Sequence, residues 1–215
     1  MSNLTKDIKL MIFDWSGVIS DDRKSVHESN GRMCEAWGIA RQDFTSWLRD
    51  STSSAATYFT MRGIVKDPSE IQEIYRTTLE QVKQDGIVPT LYPDAVVSLQ
   101  KLKQLHEKVF VVSMHPADHI KQEAAGYNLE GLVTGIVGGV KDKVIAIADI
   151  LKSTGLSAHE VAYVGDTSYD IQAAKKAGVI AIAITTGYHS REKLFEESPV
   201  LIVDSLTELT NYFIS

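Results

Sequence analysis

Asp14 follows the apolar run Lys9-Leu-Met-Ile-Phe13 and opens the string Asp14-Trp-Ser-Gly17; the chain later supplies Ser113, Lys143 and Gly165-Asp-Thr-Ser-Tyr-Asp170. One carboxylate just past a buried strand, two more at a later strand end, one hydroxyl and one ammonium are the parts of an aspartyl-phosphate mechanism. A carboxylate attacks phosphorus, and hydroxyl, amides and cation neutralise the charge that develops. Asp166 and Asp170 are four residues apart and so share a helix face. With Asp14 nearby, three carboxylates would repel one another unless a cation sat among them. Magnesium, hard and oxygen-seeking, is the natural one.

Each part has a plainer reading. Asp14 could cap a turn at Gly17, and Ser113 could be the N-cap of the helix that Pro116 starts. Asp166 and Asp170 could serve only the helix dipole. Most lysines are solvated, and Lys141 competes with Lys143 for the ammonium role. Lys143, however, opens the helix Val144–Leu151, where a cation is disfavoured and needs another partner. His115 reads as a loop neighbour rather than a catalyst.

The elements that must position these groups show as short apolar runs at Lys9–Phe13, Val109–Val112, Leu132–Val137, Val161–Val164, Val179–Ile184 and Val200–Val203. They are nearly continuous rather than alternating, which suits strands of a parallel sheet covered on both faces. Between them, Val96/Leu99/Leu102/Leu105, Val144/Ile147/Ile150 and Ile171/Ala174/Ala177 fall at helical spacing. The alternation predicts an α/β fold, a Rossmann-like doubly wound parallel sheet. From about Ile19 to Pro89 no strand is evident and the residues read as helices: one over Val26–Trp37 ended by Gly38, another with Asp67 as N-cap, Pro68 first, Glu70 completing a capping box and Gly86 stopping it. Ser51–Ala56 could be a loop or a helix start. The expected division is a core of residues 1–18 and 90–215 with an inserted all-helical cap over 19–89, placed as a lid where such sheets bind ligands.

Composition narrows the function classes. The chain has 215 residues, 44% hydrophobic and 23% charged, which fits one globular domain with an insertion. A net charge of −6 without a cluster of Lys and Arg argues against nucleic acid as a partner. Cys34 is the only cysteine, and the six histidines lack ligand spacing, so neither an internal disulfide nor a zinc site is expected. Met1–Lys6 lacks a signal peptide's basic start, and no apolar run reaches the ~18 residues that span a bilayer. A cytoplasmic, membrane-free protein is the expectation.

Taken together, the motifs resemble the haloacid dehalogenase superfamily, specifically phosphatase-type, phosphoglycolate phosphatase-like members with a helical cap. Phe13-Asp14-Trp-Ser-Gly17 looks like the first motif, Val111-Val-Ser113 the second, Lys143 the third and Gly165–Asp170 the fourth, while Leu91-Tyr-Pro-Asp94 is similar to the return from cap to core. The family's spacing between third and fourth motifs decides for Lys143 over Lys141. The resemblance implies Asp14 as nucleophile and Mg2+ held by Asp14, the Ser16 carbonyl, Asp166 and, directly or through water, Asp170. Ser113 and Lys143 would hold the phosphoryl group, with a backbone amide at Met114. A small phosphorylated molecule is the implied substrate, and Arg23, Arg49 and Arg62 are candidates for binding a second anionic group on it.

Two departures stand out. Phosphatases of the family carry Asp two positions after the nucleophile as acid and base, and this chain has Ser16; losing such a group costs about 10²–10⁴-fold. Met114-His115 replaces the usual Asn. Carbon–phosphorus or carbon–halogen hydrolases of the family also lack the second Asp, but the cap segment Trp47–Ser54 has no Schiff-base lysine, and Ser16 stands where dehalogenases carry Tyr. A weakened protein that only binds a phosphorylated ligand is the third alternative.

Overall fold

The computed structural model describes residues 7–52, 54–105 and 108–214, so the reading of Met1–Lys6 lies outside the described residues, as does Ser53 within the two segments read around it. Leu10–Phe13 forms β1, with all four residues buried. After a two-residue strand β2 (Ser20–Asp21) come α1 (Arg23–Ala36), α2 (Phe44–Arg49), α3 (Ala55–Met61) and α4 (Pro68–Gln84). The chain continues through β3 (Thr90–Leu91), α5 (Ala95–Leu105), β4 (Lys108–Val112), α6 (Ala117–Gly126), β5 (Gly135–Val137) and α7 (Lys143–Thr154). Then follow β6 (Val161–Gly165), α8 (Ser168–Lys176), β7 (Ile180–Ile184), α9 (Arg191–Glu196), β8 (Leu201–Val203) and α10 (Leu206–Ile214).

Six strands pair in parallel in the order β5-β4-β1-β6-β7-β8. The chain winds outward from β1 in both directions, so β1 sits at the switch point beyond whose carboxyl end open α/β sheets bind ligands. Strand residues point alternately to two faces, and each face has its own helical cover. Met11, Phe13, Val109, Val111, Val164 and Ile184 pack with Leu99, Ile120 and Leu209 on one side. On the other, Leu10, Ile12, Val112, Val161 and Tyr163 pack with Ile147, Ile150, Ile171 and Ala174. Burial on both faces is why the strands read as continuous apolar runs, each large side chain contributing about 1.5–3 kcal/mol relative to exposure.

Register sets the rim that matters for function. Phe13 lies opposite Val111 on β4 and Val164 on β6. The residues that follow, Asp14, Ser113 and Asp166, therefore leave the sheet at nearly one level. Asp14 N donates to Val164 O at 3.0 Å and fixes its strand end to β6.

The chain divides into two compact units, residues 1–20 with 91–215 and residues 21–90. In the second, α1 packs on α4, which buries Ile71 and Val82. The Trp37 and Phe59 rings meet edge to face at 4.8 Å. Asp67 caps α4 by accepting from Ser69 N, and Gly86 ends the turn at φ +90, a conformation glycine adopts without penalty. Ser54 is the N-cap of α3, which settles the Ser51–Ala56 ambiguity as a helix start.

Three expectations need correction. Glu70 does not complete a capping box, because its carboxylate is drawn to Lys66 Nζ at 2.5 Å. The interval from Ile19 to Pro89 is not free of strand: Ser20–Asp21 pairs with Thr90–Leu91 in a ladder too short to leave a periodic signal. The run Leu132–Val137 is strand only from Gly135, since Leu132 N turns back to Leu129 O at 3.0 Å. No helix among the described residues is long and apolar enough to cross a membrane.

Candidate active site

The turn after β1 is built tightly. Trp15 O accepts from Ile19 N and Ser20 N at 2.9 Å each, and Gly17 N donates to Ser20 O at 2.8 Å. Gly17 has φ +74, and a Cβ there would overlap the Asp166 carboxylate, so glycine is required twice over. Gly187, in the loop after β7, meets the same carboxylate and likewise leaves no room for a Cβ. Two glycines thus form a cradle around Asp166.

Asp14, Asp166 and Asp170 each bring a carboxylate oxygen within 4.8 Å of the others. All three are buried, at 7%, 1% and 0% exposure. Lys143, 3% exposed at the start of α7, lies between two of them, its Nζ 2.8 Å from Asp14 Oδ2 and 2.6 Å from Asp170 Oδ1. This is the partner that a cation at a helix start lacked in the sequence. Asp142, the N-cap of α7, accepts from Val144 N and restores the negative charge that end of the helix favours. The rings of Tyr163 and Tyr169 lie 5.8 and 5.9 Å from the Lys143 ammonium.

The three carboxylates are not equivalent. Asp170 is saturated: Oδ1 accepts from Lys143 Nζ and from Tyr163 OH at 3.1 Å, and Oδ2 from Thr167 N and Thr167 Oγ1. It closes a capping box at the start of α8, the plainer reading of this residue, and at the same time bonds Lys143. Asp14 Oδ1 accepts from Trp15 N at 2.7 Å. Asp166 Oδ2 accepts from Tyr188 N at 2.8 Å, whereas Asp166 Oδ1 is buried with no hydrogen-bond partner among the described residues.

Electrostatics follow from this arrangement. Burial, reinforced by Asp170 and Asp14, pushes the Asp166 carboxyl well above the usual carboxylate range. Burial also raises Asp14, against the pull of Lys143. For Asp170, burial is outweighed by Lys143 and Thr167, and the group stays below its ordinary value. Burial would lower Lys143, but Asp14 and Asp170 overcome it and hold the ammonium well above its usual value.

The orphaned, buried Asp166 Oδ1 beside two further carboxylates fits a small hard cation such as Mg2+, while the two glycines make room for the other oxygen, Oδ2. The folded state without metal holds Asp166 protonated to a higher pH than the unfolded chain does. Stability from this group therefore falls as pH rises from the unfolded value, about 4, through the raised folded value. Asp166→Asn should accordingly stabilise the metal-free protein at neutral pH while removing its response to Mg2+. For the unmutated protein, metal at ~100 times its Kd contributes about 2.7 kcal/mol, or roughly 5–10 °C in Tm. Thermal melts with and without Mg2+ check both; an equal rise in the variant would remove Asp166 from the metal site.

Ser113 Oγ, buried at the end of β4, is 3.4 Å from the amide of His115. Ser113 N is tied to Val137 O at 3.0 Å. Met114 is 44% exposed, and Ser16 is partly buried in a bridge with Ser20. Arg62 donates within its own unit to Gln42 Oε1, Tyr58 OH and Ala40 O. Arg23 forks onto Asp21 at 2.7 and 2.8 Å, and the exposed Arg49 lies 3.1 Å from Asp50.

Sequence reasoning missed the loop after β7. Thr186 Oγ1 donates to Gly17 O at 2.6 Å, Gly187 leaves room for Asp166, and Tyr188 N binds it. The available signal was Thr185-Thr-Gly-Tyr following an apolar run, at the carboxyl rim that carries the other motifs. Tyr163, deep in β6, gave no signal because a strand tyrosine reads as core.

Known proteins can be set beside this geometry. Residues 11–184 match the family model described as haloacid dehalogenase-like hydrolase. The chain is 27% identical over 217 residues to a phosphoglycolate phosphatase of Aliivibrio fischeri, covering 95% of this chain and 96% of the relative. A phosphoglycolate phosphatase of Vibrio parahaemolyticus is 24% identical, with 95% of each chain covered. A haloacid dehalogenase-like family hydrolase from Streptococcus pneumoniae has the same fold, with a TM-score of 0.85 at 21% identity over 96% of this chain and 99% of that one. The family match spans the first strand, the insertion and the strand beyond the last site carboxylate, and this chain belongs to the haloacid dehalogenase-like hydrolases, on their phosphatase side.

Proposed function

We propose that the chain is a magnesium-dependent phosphatase that hydrolyses a small phosphorylated metabolite through an aspartyl phosphate on Asp14. The observation that carries this reading is the convergence of Asp14, Asp166 and Asp170 on one buried point, with Lys143 bridging two of them. A protein that only bound a ligand would have no need of a nucleophile, and Asp14 is a buried carboxylate at the strand end with Lys143 Nζ 2.8 Å away.

Asp14 and Asp166, with the Ser16 carbonyl, would hold the metal ion directly. Asp170, whose oxygens are already engaged, would act by holding Lys143 and through water. When bound, Mg2+ neutralises charge on the transferring phosphoryl group. Asp14 attacks phosphorus in line, the new O–P bond forms as the ester oxygen leaves with its electron pair, and Lys143 and Ser113 stabilise the equatorial oxygens. Water then attacks phosphorus, releasing inorganic phosphate and regenerating the carboxylate. Residues 21–90 are the substrate-selecting insertion in this reading, and the relatives' names make phosphoglycolate the first metabolite to try.

Ser16 does not exchange protons with a carboxylate's ease, so the leaving group must depart with little help and water must be activated by other means. Mg2+-dependent hydrolysis of p-nitrophenyl phosphate by the purified protein tests the reading, and no turnover at any enzyme concentration would reject it. Ser16→Asp should raise turnover of alkyl phosphates by about tenfold or more while barely changing aryl phosphates. Rates measured across a series of leaving-group pKa values check this, and an unchanged slope would clear Ser16 of limiting the reaction.

A further inference from the structure

Glu123 lies on α6, outside every motif discussed so far. Its Oε2 accepts from Trp15 Nε1 at 2.7 Å and from Ser20 Oγ at 3.2 Å. Ser20 Oγ is also 3.4 Å from the hydroxyl of Tyr127, whose ring stacks on the Trp15 indole at 6.3 Å. Glu123 and Tyr127, four residues apart, thus present one face to Trp15 and Ser20. These two residues bracket the turn that leaves β1: Trp15 N donates to Asp14 Oδ1, Trp15 O closes on Ile19 N and Ser20 N, and Gly17 faces Asp166. One carboxylate oxygen therefore clamps both ends of the turn that directly follows the nucleophile and carries the Ser16 carbonyl.

We infer that Glu123 is a positioning residue, which holds the Asp14–Ser20 turn in its attacking geometry through Trp15 and Ser20. The inference rests on the phosphatase reading, for which Asp14 is the nucleophile. Trp15 is 2% exposed and its indole N–H would otherwise be stranded, so the bond is specific and is worth more than a surface contact. A small displacement of the turn moves the attacking oxygen relative to Asp166 and Lys143, and an error near 1 Å costs about 10²-fold in rate.

The test uses the full chain with Glu123→Leu, Glu123→Gln, Trp15→Phe and the double variant Trp15→Phe/Glu123→Leu. Glu123→Leu should lower kcat on p-nitrophenyl phosphate by about 10–100-fold with KM nearly unchanged. Glu123→Gln, which keeps an oxygen acceptor, should retain most of the rate. Trp15→Phe, which removes the N–H donor together with part of the indole that stacks on Tyr127, should lose at least as much as Glu123→Leu, and the double variant should lose no more than Trp15→Phe alone. A folded Glu123→Leu with the parent kcat, or losses that simply multiply in the double variant, would overturn the inference. If Glu123→Leu does not fold, Trp15→Phe against Glu123→Gln decides, a parent-like kcat in Trp15→Phe counting against it. An unmutated protein without turnover would defeat the phosphatase reading alone. Calorimetric Mg2+ affinity would then still decide the positioning role: about fivefold or greater weakening in Glu123→Leu or Trp15→Phe supports it, and equal affinity overturns it.

Discussion

Asp14→Asn is expected to lower Mg2+-dependent turnover of an aryl phosphate by about 10⁴-fold or more, since the amide cannot form the covalent intermediate and the remaining groups retain only charge stabilisation. The variant should still fold. The introduced amide is nearly isosteric with the carboxylate, its oxygen can keep one of the bonds that Asp14 makes to Trp15 N and Lys143 Nζ, and one buried negative charge is removed. Single-turnover kinetics with enzyme in excess separates this from a binding defect. Residual activity within about tenfold of the parent would mean that Asp14 is not the nucleophile.

Lys143→Met should have the largest effect on stability. It strands Asp14 and Asp170, both buried, without their shared cation, and breaking such a pair costs about 3–5 kcal/mol. Against a typical total of about 5–15 kcal/mol, this approaches unfolding. The loss should be greatest at neutral pH and should shrink toward about pH 5, where the stranded carboxylates can accept protons instead. Turnover should fall by about 10²–10³-fold, the range for removing one preorganised charge donor. Urea melts at two pH values with and without Mg2+ check the first part; a cost under about 1 kcal/mol would show that the lysine is not what offsets the burial of the two carboxylates.

Much of this was legible in the sequence because it was encoded locally. β1, β4, β6 and β7 announce themselves as uninterrupted apolar runs, and parallel register then carries Asp14, Ser113 and Asp166 to a common rim without long-range information. Lys143 was visible through a misfit, a cation where a helix prefers an anion. What stayed hidden depends on contacts made across the fold. The Gly187–Tyr188 support of Asp166 comes from the loop after β7, and the Tyr163 bond to Asp170 from inside a core strand. Glu123 meets Trp15 across 108 residues, a separation that no local pattern reports. Glu70 shows the opposite failure: its motif was present, and a nearby lysine took the side chain elsewhere. Arg62, a substrate-binding candidate by charge, also makes local bonds that the sequence did not report, to Gln42, Tyr58 and the Ala40 carbonyl.

The most direct test is to quench the enzyme with acid during turnover of an aryl phosphate in heavy-oxygen water and map its peptides by mass. The account predicts a phosphoryl group on the peptide containing Asp14, absent from Asp14→Asn, and no heavy oxygen in the recovered Asp14 carboxylate, because water attacks phosphorus. Turnover with no adduct at Asp14, or heavy oxygen entering its carboxylate, would contradict it.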